Sequence, residues 1–254
     1  MRRTQARPVR MLQIGRLDVI LLLLSVSGLM LLGWIADPFL LGIVCALQLV
    51  LAGFGAIALI GPARSDRGIA RYLVPPLGSV SLTLALRLAS PSGPGLLFGL
   101  IALLGLWLVF HTELTYARGQ RPKTALDLVL AIVIIAASAG IPAAIGSGWP
   151  PALAVVALVA FVLALRAAES RGATGGAGLG QAALHSVAIV GMAAALPLLE
   201  LPGLMAPAVL GLGFYSWSGA ADALEEGAST RTVIGEFGLL AVVGLTVALL
   251  LYGG

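Results

Sequence analysis

The chain has 254 residues, of which 59% are hydrophobic and 10% are charged. A soluble domain needs roughly a quarter of its residues charged to cover its surface, so this composition excludes a soluble globular protein. The formal charge of +4 does not indicate a nucleic-acid partner, because the basic residues lie in short segments between apolar runs, as they do in membrane proteins.

The apolar residues form runs of about 20 residues, the length that an α-helix needs to cross ~30 Å of hydrocarbon. The runs are rich in Leu, Ala, Val and Gly and show no alternation of period two, so they predict helices and not β-strands. We therefore expect an all-α, polytopic helical bundle that forms one transmembrane domain over 1–254, embedded in the lipid bilayer. The nine predicted spans are 17–35, 38–60, 70–88, 94–112, 124–146, 150–168, 180–199, 203–219 and 233–252.

Two of these spans have alternatives. The first, 17–35, follows an arginine-rich arm but is too long for the apolar core of a signal peptide and has no suitable cleavage site, so we interpret it as an uncleaved span. The eighth, 203–219, is short and contains Pro207, Gly211 and Gly213. A re-entrant segment is the alternative there.

The basic residues predict the orientation. Nine alternating spans leave only Arg87, of the 15 lysine and arginine residues, on the side opposite the N-terminus. The positive-inside rule then makes the N-terminus cytoplasmic and the C-terminus extracytoplasmic, in the plasma (inner) membrane. The residues on the N-terminal side are Arg2, Arg3, Arg7, Arg10, Arg16, Arg64, Arg67, Arg71, Arg118, Arg121, Lys123, Arg166, Arg171 and Arg231.

Short sequence matches recur in the same order in the two halves of the chain, such as Arg67-Gly68 and Arg171-Gly172. They are compatible with a duplicated four-helix unit followed by one terminal helix, with parallel units. In a chain so rich in Leu and Gly, such matches also arise by chance. The corresponding ranges are 17–112, 124–219 and 233–252.

The third span contains Pro75-Pro76. Two adjacent prolines remove two backbone donors and clash with the preceding turn, so this helix is expected to kink or break. The freed carbonyls, together with Tyr72 and Ser79, would then line a polar path. The alternative is a packing kink in which the hydroxyls bond to carbonyls of their own helix.

Ionisable residues lie near the cytoplasmic ends of other spans. His111 and Glu113 end the fourth span, while Arg166 and Glu169 end the sixth and are spaced to pair with each other. His185 lies within the seventh span. It is a candidate proton relay or ligand residue, or else a neutral imidazole hydrogen-bonded to a neighbouring helix.

An acidic group follows the eighth span. Asp222, Glu225 and Glu226 are spaced at i, i+3 and i+4, so a helical continuation would place them on one face. Such a face is a weak candidate Mg²⁺ site that would hold a diphosphate. The alternatives are a solvated acidic loop and a contact with another protein.

Other features predict no catalytic site. The sequence has no nucleotide-binding loop, no G-x-S-x-G motif and a single cysteine, Cys45, within an apolar run. It therefore predicts no cofactor. Gly95 and Gly99 have the G-x-x-x-G spacing of close helix packing, within the bundle or against another subunit.

Three functions follow from these features. The first is a small transporter or permease component, because a broken helix and polar residues within spans are what a path requires. The second is a membrane subunit or scaffold that packs against partner subunits or a second copy. The third is an enzyme acting on a lipid or polyprenyl substrate at the cytoplasmic face. The candidate path residues are His111, Glu113, Arg166, His185, Tyr72 and Ser79.

Overall fold

A computed structural model describes residues 16–61, 68–120, 122–146, 149–199, 201 and 203–252. Within these residues the chain forms nine α-helices and one short 3-10 helix, Leu196–Leu199, and no strand. The predicted all-α bundle is confirmed. The helices are α1 (Arg16–Ile35), α2 (Pro38–Ile60), α3 (Ala70–Leu86), α4 (Pro94–Ala117), α5 (Lys123–Ile145), α6 (Trp149–Arg171), α7 (Gly175–Ala195), α8 (Met205–Glu225) and α9 (Thr230–Tyr252).

Seven of the described helices are long and apolar enough to cross a membrane. The other two are α3, which has 17 residues and two internal prolines, and α8, which is less apolar. α8 is nevertheless continuous over 21 residues, about 31 Å at 1.5 Å per residue. The protein is therefore a multi-pass membrane protein. α8 is a continuous helix, but it is not among the seven that are long and apolar enough to span, so the choice between a full span and a re-entrant segment stays a prediction.

Several helices extend further than the sequence predicts, and α4, α7 and α8 extend furthest. α4 continues to Ala117, so His111 and Glu113 lie inside the helix and not at its end. α7 begins at Gly175, five residues before the predicted span. α8 includes 220–225, which were expected to be loop. The additions to α4 and α8 contain polar residues, whereas the addition to α7 is rich in glycine.

Charge separates the two ends of the bundle. Lys123 at the start of α5, Arg171 at the end of α6 and Glu226 after α8 lie at one end, which we call the basic end. Arg87 lies at the other end, which we call the opposite end. Arg2, Arg3, Arg7, Arg10, Arg64, Arg67 and Arg121 lie outside the described residues. The duplicated four-helix unit stays a prediction.

Arg87 ties two helices together at the opposite end. Its Nη1 donates to the carbonyls of Gly33 (2.8 Å) and Ala36 (2.6 Å), at the end of α1. The indole of Trp34 donates to the Ala89 carbonyl (2.7 Å), after α3. The last carbonyls of a helix have no intrahelical partner, so a cation there is favourable. This contact gives Arg87, the one basic residue that the predicted topology places on the less basic side, a role in joining helices.

α3 lies at the centre of the bundle and contacts α1, α2, α4, α5 and α6. It continues through Pro75 and Pro76 instead of breaking there. The Ser79 hydroxyl donates to the Pro76 carbonyl (2.9 Å), and the Thr83 hydroxyl donates to the Ser79 carbonyl (2.8 Å). The hydroxyls thus bond to their own helix, which is the second of the two alternatives.

Glycine allows α3 and α5 to approach closely. A Cβ at Gly140 of α5 would overlap the backbone of Leu84 and Ala85 in α3. A Cβ at Gly78 of α3 would lie 3.3 Å from both Val109 and Val133. Without side chains at these two positions, the helix backbones approach more closely than larger residues permit.

We predict that Gly140→Ala lowers the free energy of unfolding by about 1–3 kcal/mol, because the added methyl group must push α3 and α5 apart. Gly191→Ala, also within a helix, is the control, since a Cβ there meets no atom within 4 Å. Unfolding of the purified protein by SDS titration measures both. Equal stability of the two variants would contradict the close α3–α5 contact.

Candidate functional site

A buried ion pair joins α4 to α6. Arg166 donates from Nε to Glu113 Oε1 (2.8 Å) and from Nη2 to Oε2 (3.0 Å). Glu113 is 1% exposed and Arg166 is 4% exposed. The Tyr116 ring lies 4.6 Å from the guanidinium carbon. A two-point pair of this kind, with an aromatic face beside the cation, satisfies two charges that the hydrocarbon would otherwise not tolerate.

Glu169 has a different partner from the one expected. It was predicted to pair with Arg166, three residues earlier, and this prediction is wrong. Its Oε1 accepts from the backbone N–H of Ala70 (3.1 Å), at the start of α3. Its carboxylate also occupies the space that a Cβ at Gly68 would need. Glu169 therefore supplies the N-terminal cap of α3 from α6, where the helix dipole favours an anion.

The three acidic residues after the eighth span face cations. Arg171 lies 3.3 Å from Asp222 and 3.4 Å from Glu225, and Lys123 lies 2.9 Å from Glu226. Gln181 Nε2 is a further neighbour of Glu225, at 3.5 Å. Within the described residues, no group of three His, Cys, Asp or Glu is placed to hold a metal ion. These contacts are ion pairs within the chain, an arrangement that none of the alternatives from the sequence included.

The two histidines have unlike surroundings. His111 is exposed on α4 and stacks on Trp107 of the same helix, with ring centroids 4.8 Å apart. His185 is 2% exposed and packs against Phe214 (4.3 Å) and Trp217 (5.7 Å) of α8. Among the described residues, neither of its ring nitrogens has a hydrogen-bond partner. The hydrogen bond expected to a neighbouring helix is therefore not seen, and aromatic packing holds the ring.

Tyr72 and Ser79 also form hydrogen bonds with nearby residues. The Tyr72 hydroxyl donates to the Gly61 carbonyl (2.7 Å) and accepts from Arg71, whose guanidinium carbon lies 4.5 Å from the Tyr72 ring centre. Tyr72 thereby connects the end of α2 to the start of α3. Ser79 is fully buried and bonds within α3.

Of the six candidate path residues, only Glu113 and Arg166 form an ion pair or hydrogen bond with each other in the described part of the chain. None of the six lines either of the two cavities, of about 760 and 370 Å³, that lie beside α5. Within the described residues, the contacts of Glu113, Arg166 and Tyr72 join one helix to another.

One buried polar pair was missed by sequence reasoning. Gln48 of α2 is fully buried, and its Nε2 donates to the Thr83 hydroxyl of α3 (2.8 Å). The sequence did contain a sign of this pair, because Gln48 is an amide side chain within the apolar run 38–60. Polar residues inside a span generally face a partner in the bundle.

We predict that Arg166→Met lowers the free energy of unfolding by about 3–5 kcal/mol, because it leaves the Glu113 carboxylate buried without its partner. The double variant Glu113→Leu, Arg166→Met should recover most of that loss, since it leaves no charge behind. SDS titration in mixed micelles measures both.

The matched control is Lys123→Ala, which removes the cation of an exposed ion pair, with side chains 47% and 69% exposed. Water and salt screen such pairs, so little change in stability is expected. A loss for Arg166→Met as small as that for Lys123→Ala would show that the buried pair does not hold α4 and α6 together.

No protein-family model, curated protein or solved structure matches this chain. Its function therefore has to be inferred from the contacts described above and from the surface that the bundle presents to the membrane.

Proposed function

We propose that the chain is a membrane subunit that works by packing against another membrane chain, with its N-terminus in the cytoplasm. The observation that carries this proposal is the outward face of α7. The helix buries its other face, which includes Ala182, His185 and Ile189, within the bundle.

The outward face of α7 carries exposed glycines beside two exposed leucines, Leu179 (50%) and Leu184 (62%). Gly176, Gly180 and Gly191 are exposed, and a Cβ at any of them would meet no atom within 4 Å. Gly176 and Gly180 have G-x-x-x-G spacing, and Ala183 and Val187 continue the same exposed face. Lipid tails are as apolar as Leu, so helices in a membrane associate through close packing, which small residues permit. This face is suited to a second helix.

The polar contacts also support a subunit more than a path. Arg166, Glu169 and Arg171 of α6 each hold a group on another part of the bundle, at α4, α3 and α8 respectively. A path needs polar groups that face a common space, and none of the six candidate residues lines either of the two cavities beside α5. Transport and lipid enzymology therefore have less support from these contacts.

The orientation rests on the distribution of charge. The basic end carries Lys123 and Arg171, while Arg87 at the opposite end is engaged with the end of α1. Because lysine and arginine accumulate in cytoplasmic loops, the basic end is proposed to face the cytoplasm.

For the packing proposal, we predict that the protein purified from its native membranes in mild detergent carries a second membrane chain in a fixed ratio, read by native mass spectrometry. Gly180→Leu should abolish that association, because the larger side chain keeps the helices apart. Gly42→Leu is the control, since Gly42 of α2 is also exposed with no atom within 4 Å. A wild-type protein that is purely monomeric would contradict the proposal.

For the orientation, we predict that a cysteine at Gln120, in a Cys45→Ser background, is shielded from an impermeant maleimide in intact spheroplasts and labelled in inverted vesicles. Ser92→Cys should show the reverse. Both positions are exposed, one after α4 and the other before it. The Cys45→Ser chain alone measures background labelling, and the opposite pattern would invert the topology.

A further inference from the structure

Two adjoining cavities lie at the opposite end, beside α5. The larger, of about 760 Å³, is bounded by α5, the end of α7 and the start of α8, and the smaller, of about 370 Å³, lies between α3, α4 and α5. Phe98, Ala139 and Leu204 line both. The two cavities therefore adjoin, and we call them together the α5 groove. The volume of each is in the range of ligand sites in proteins, roughly 300–1,000 Å³.

The side chains that line the α5 groove are almost all apolar. Among the described residues that line it none is charged, and Ser138 provides the only polar side chain; the larger cavity also exposes polar backbone groups. The Ser138 hydroxyl already donates to the Ile135 carbonyl (3.1 Å) of its own helix. Because these side chains offer no charge and no unpaired donor, the part of a ligand that enters is expected to be apolar.

The groove opens sideways, towards the surrounding lipid. Ile101 and Leu104 of α4 line the smaller cavity and are also 55% and 57% exposed. Leu204, which lines both cavities, is 39% exposed. A ligand therefore enters from the membrane and not from water.

The length of the groove matches one leaflet. On α4 it extends from Phe98 to Leu108, and on α5 from Ile132 to Pro142. Each stretch covers about 15 Å at 1.5 Å per residue. The hydrocarbon core is ~30 Å thick, so an extended lipid chain in one leaflet spans about half of it. One end of the groove lies near the helix ends at Leu88 and Ala89, and the other lies near mid-membrane.

We infer that the α5 groove binds one acyl chain of a glycerophospholipid from the leaflet at the opposite end. The chain lies along α5 between α4 and α8, and the headgroup stays outside, beyond Leu88 and Ala89. Small side chains at Ala102, Gly105 and Ala136 leave the space that the chain fills. This binding site is separate from the outward face of α7 and does not depend on the partner proposed there.

The test uses the full-length protein in phosphatidylcholine vesicles that contain a small fraction of phosphatidylcholine with a diazirine on one acyl chain. After illumination, digestion and mass spectrometry locate the attached lipid. We expect labelling concentrated at Phe98, Ala139 and Leu204, well above that on the lipid-facing surface of α2 around Leu47. Labelling of the groove no stronger than that of α2 would overturn the inference.

Filling the groove provides the second measurement. Ala139→Phe should remove most of the labelling at Phe98 and Leu204 while leaving that of α2 unchanged. Ala46→Phe, at an exposed position of α2, is the control and should leave the groove labelled. Undiminished labelling in a folded Ala139→Phe protein would overturn the inference.

The wild-type labelling pattern decides the question alone if Ala139→Phe does not fold. A third probe, a prenyl chain carrying the same diazirine, identifies the occupant. Stronger groove labelling by this probe than by the acyl probe would also overturn the assignment to an acyl chain.

Discussion

The lack of water in the hydrocarbon of a membrane determines where the charged side chains of this bundle lie. A buried charge there must find its partner within the protein, and the pair is favourable only when its geometry is good. Arg166 and Glu113 meet this requirement with two hydrogen bonds, at 2.8 and 3.0 Å. This pair links α4 to α6 directly.

At the basic end of the bundle, α6 contacts three other helices through charged side chains. In its last two turns, Arg166 binds α4, Glu169 caps α3 and Arg171 faces the acidic residues of α8. The opposite end is held differently, by the bonds from Arg87 and Trp34 to backbone carbonyls. That end has fewer charged contacts and the apolar α5 groove. The two ends of the bundle are thus held by different contacts: ion pairs between side chains at the basic end, and hydrogen bonds from side chains to backbone carbonyls at the opposite end.

Features that depend only on residues close together in the chain were predictable from the sequence. Contacts between residues far apart in the chain were not. Spans were predictable because apolar length and hydrocarbon thickness must match. Glu169 was assigned to Arg166 because residues three apart share a helix face, yet the actual partner of Arg166 is 53 residues away along the chain. The break at Pro75-Pro76 was expected from local backbone chemistry. Instead, α3 is continuous and is packed among the surrounding helices. The hydroxyls of Ser79 and Thr83 bond to carbonyls of this same helix.

The sequence by itself determined that this is a helical membrane protein, where its apolar segments lie and how unevenly its basic residues are distributed. Composition and length are sufficient for these conclusions, because each helix satisfies its own backbone in lipid. Only the tertiary structure decided which polar side chains meet, that His185 is enclosed by Phe214 and Trp217, and that a groove lies along α5. These features depend on how separate helices pack, and glycines such as Gly140 set that packing through contacts between residues far apart in the chain.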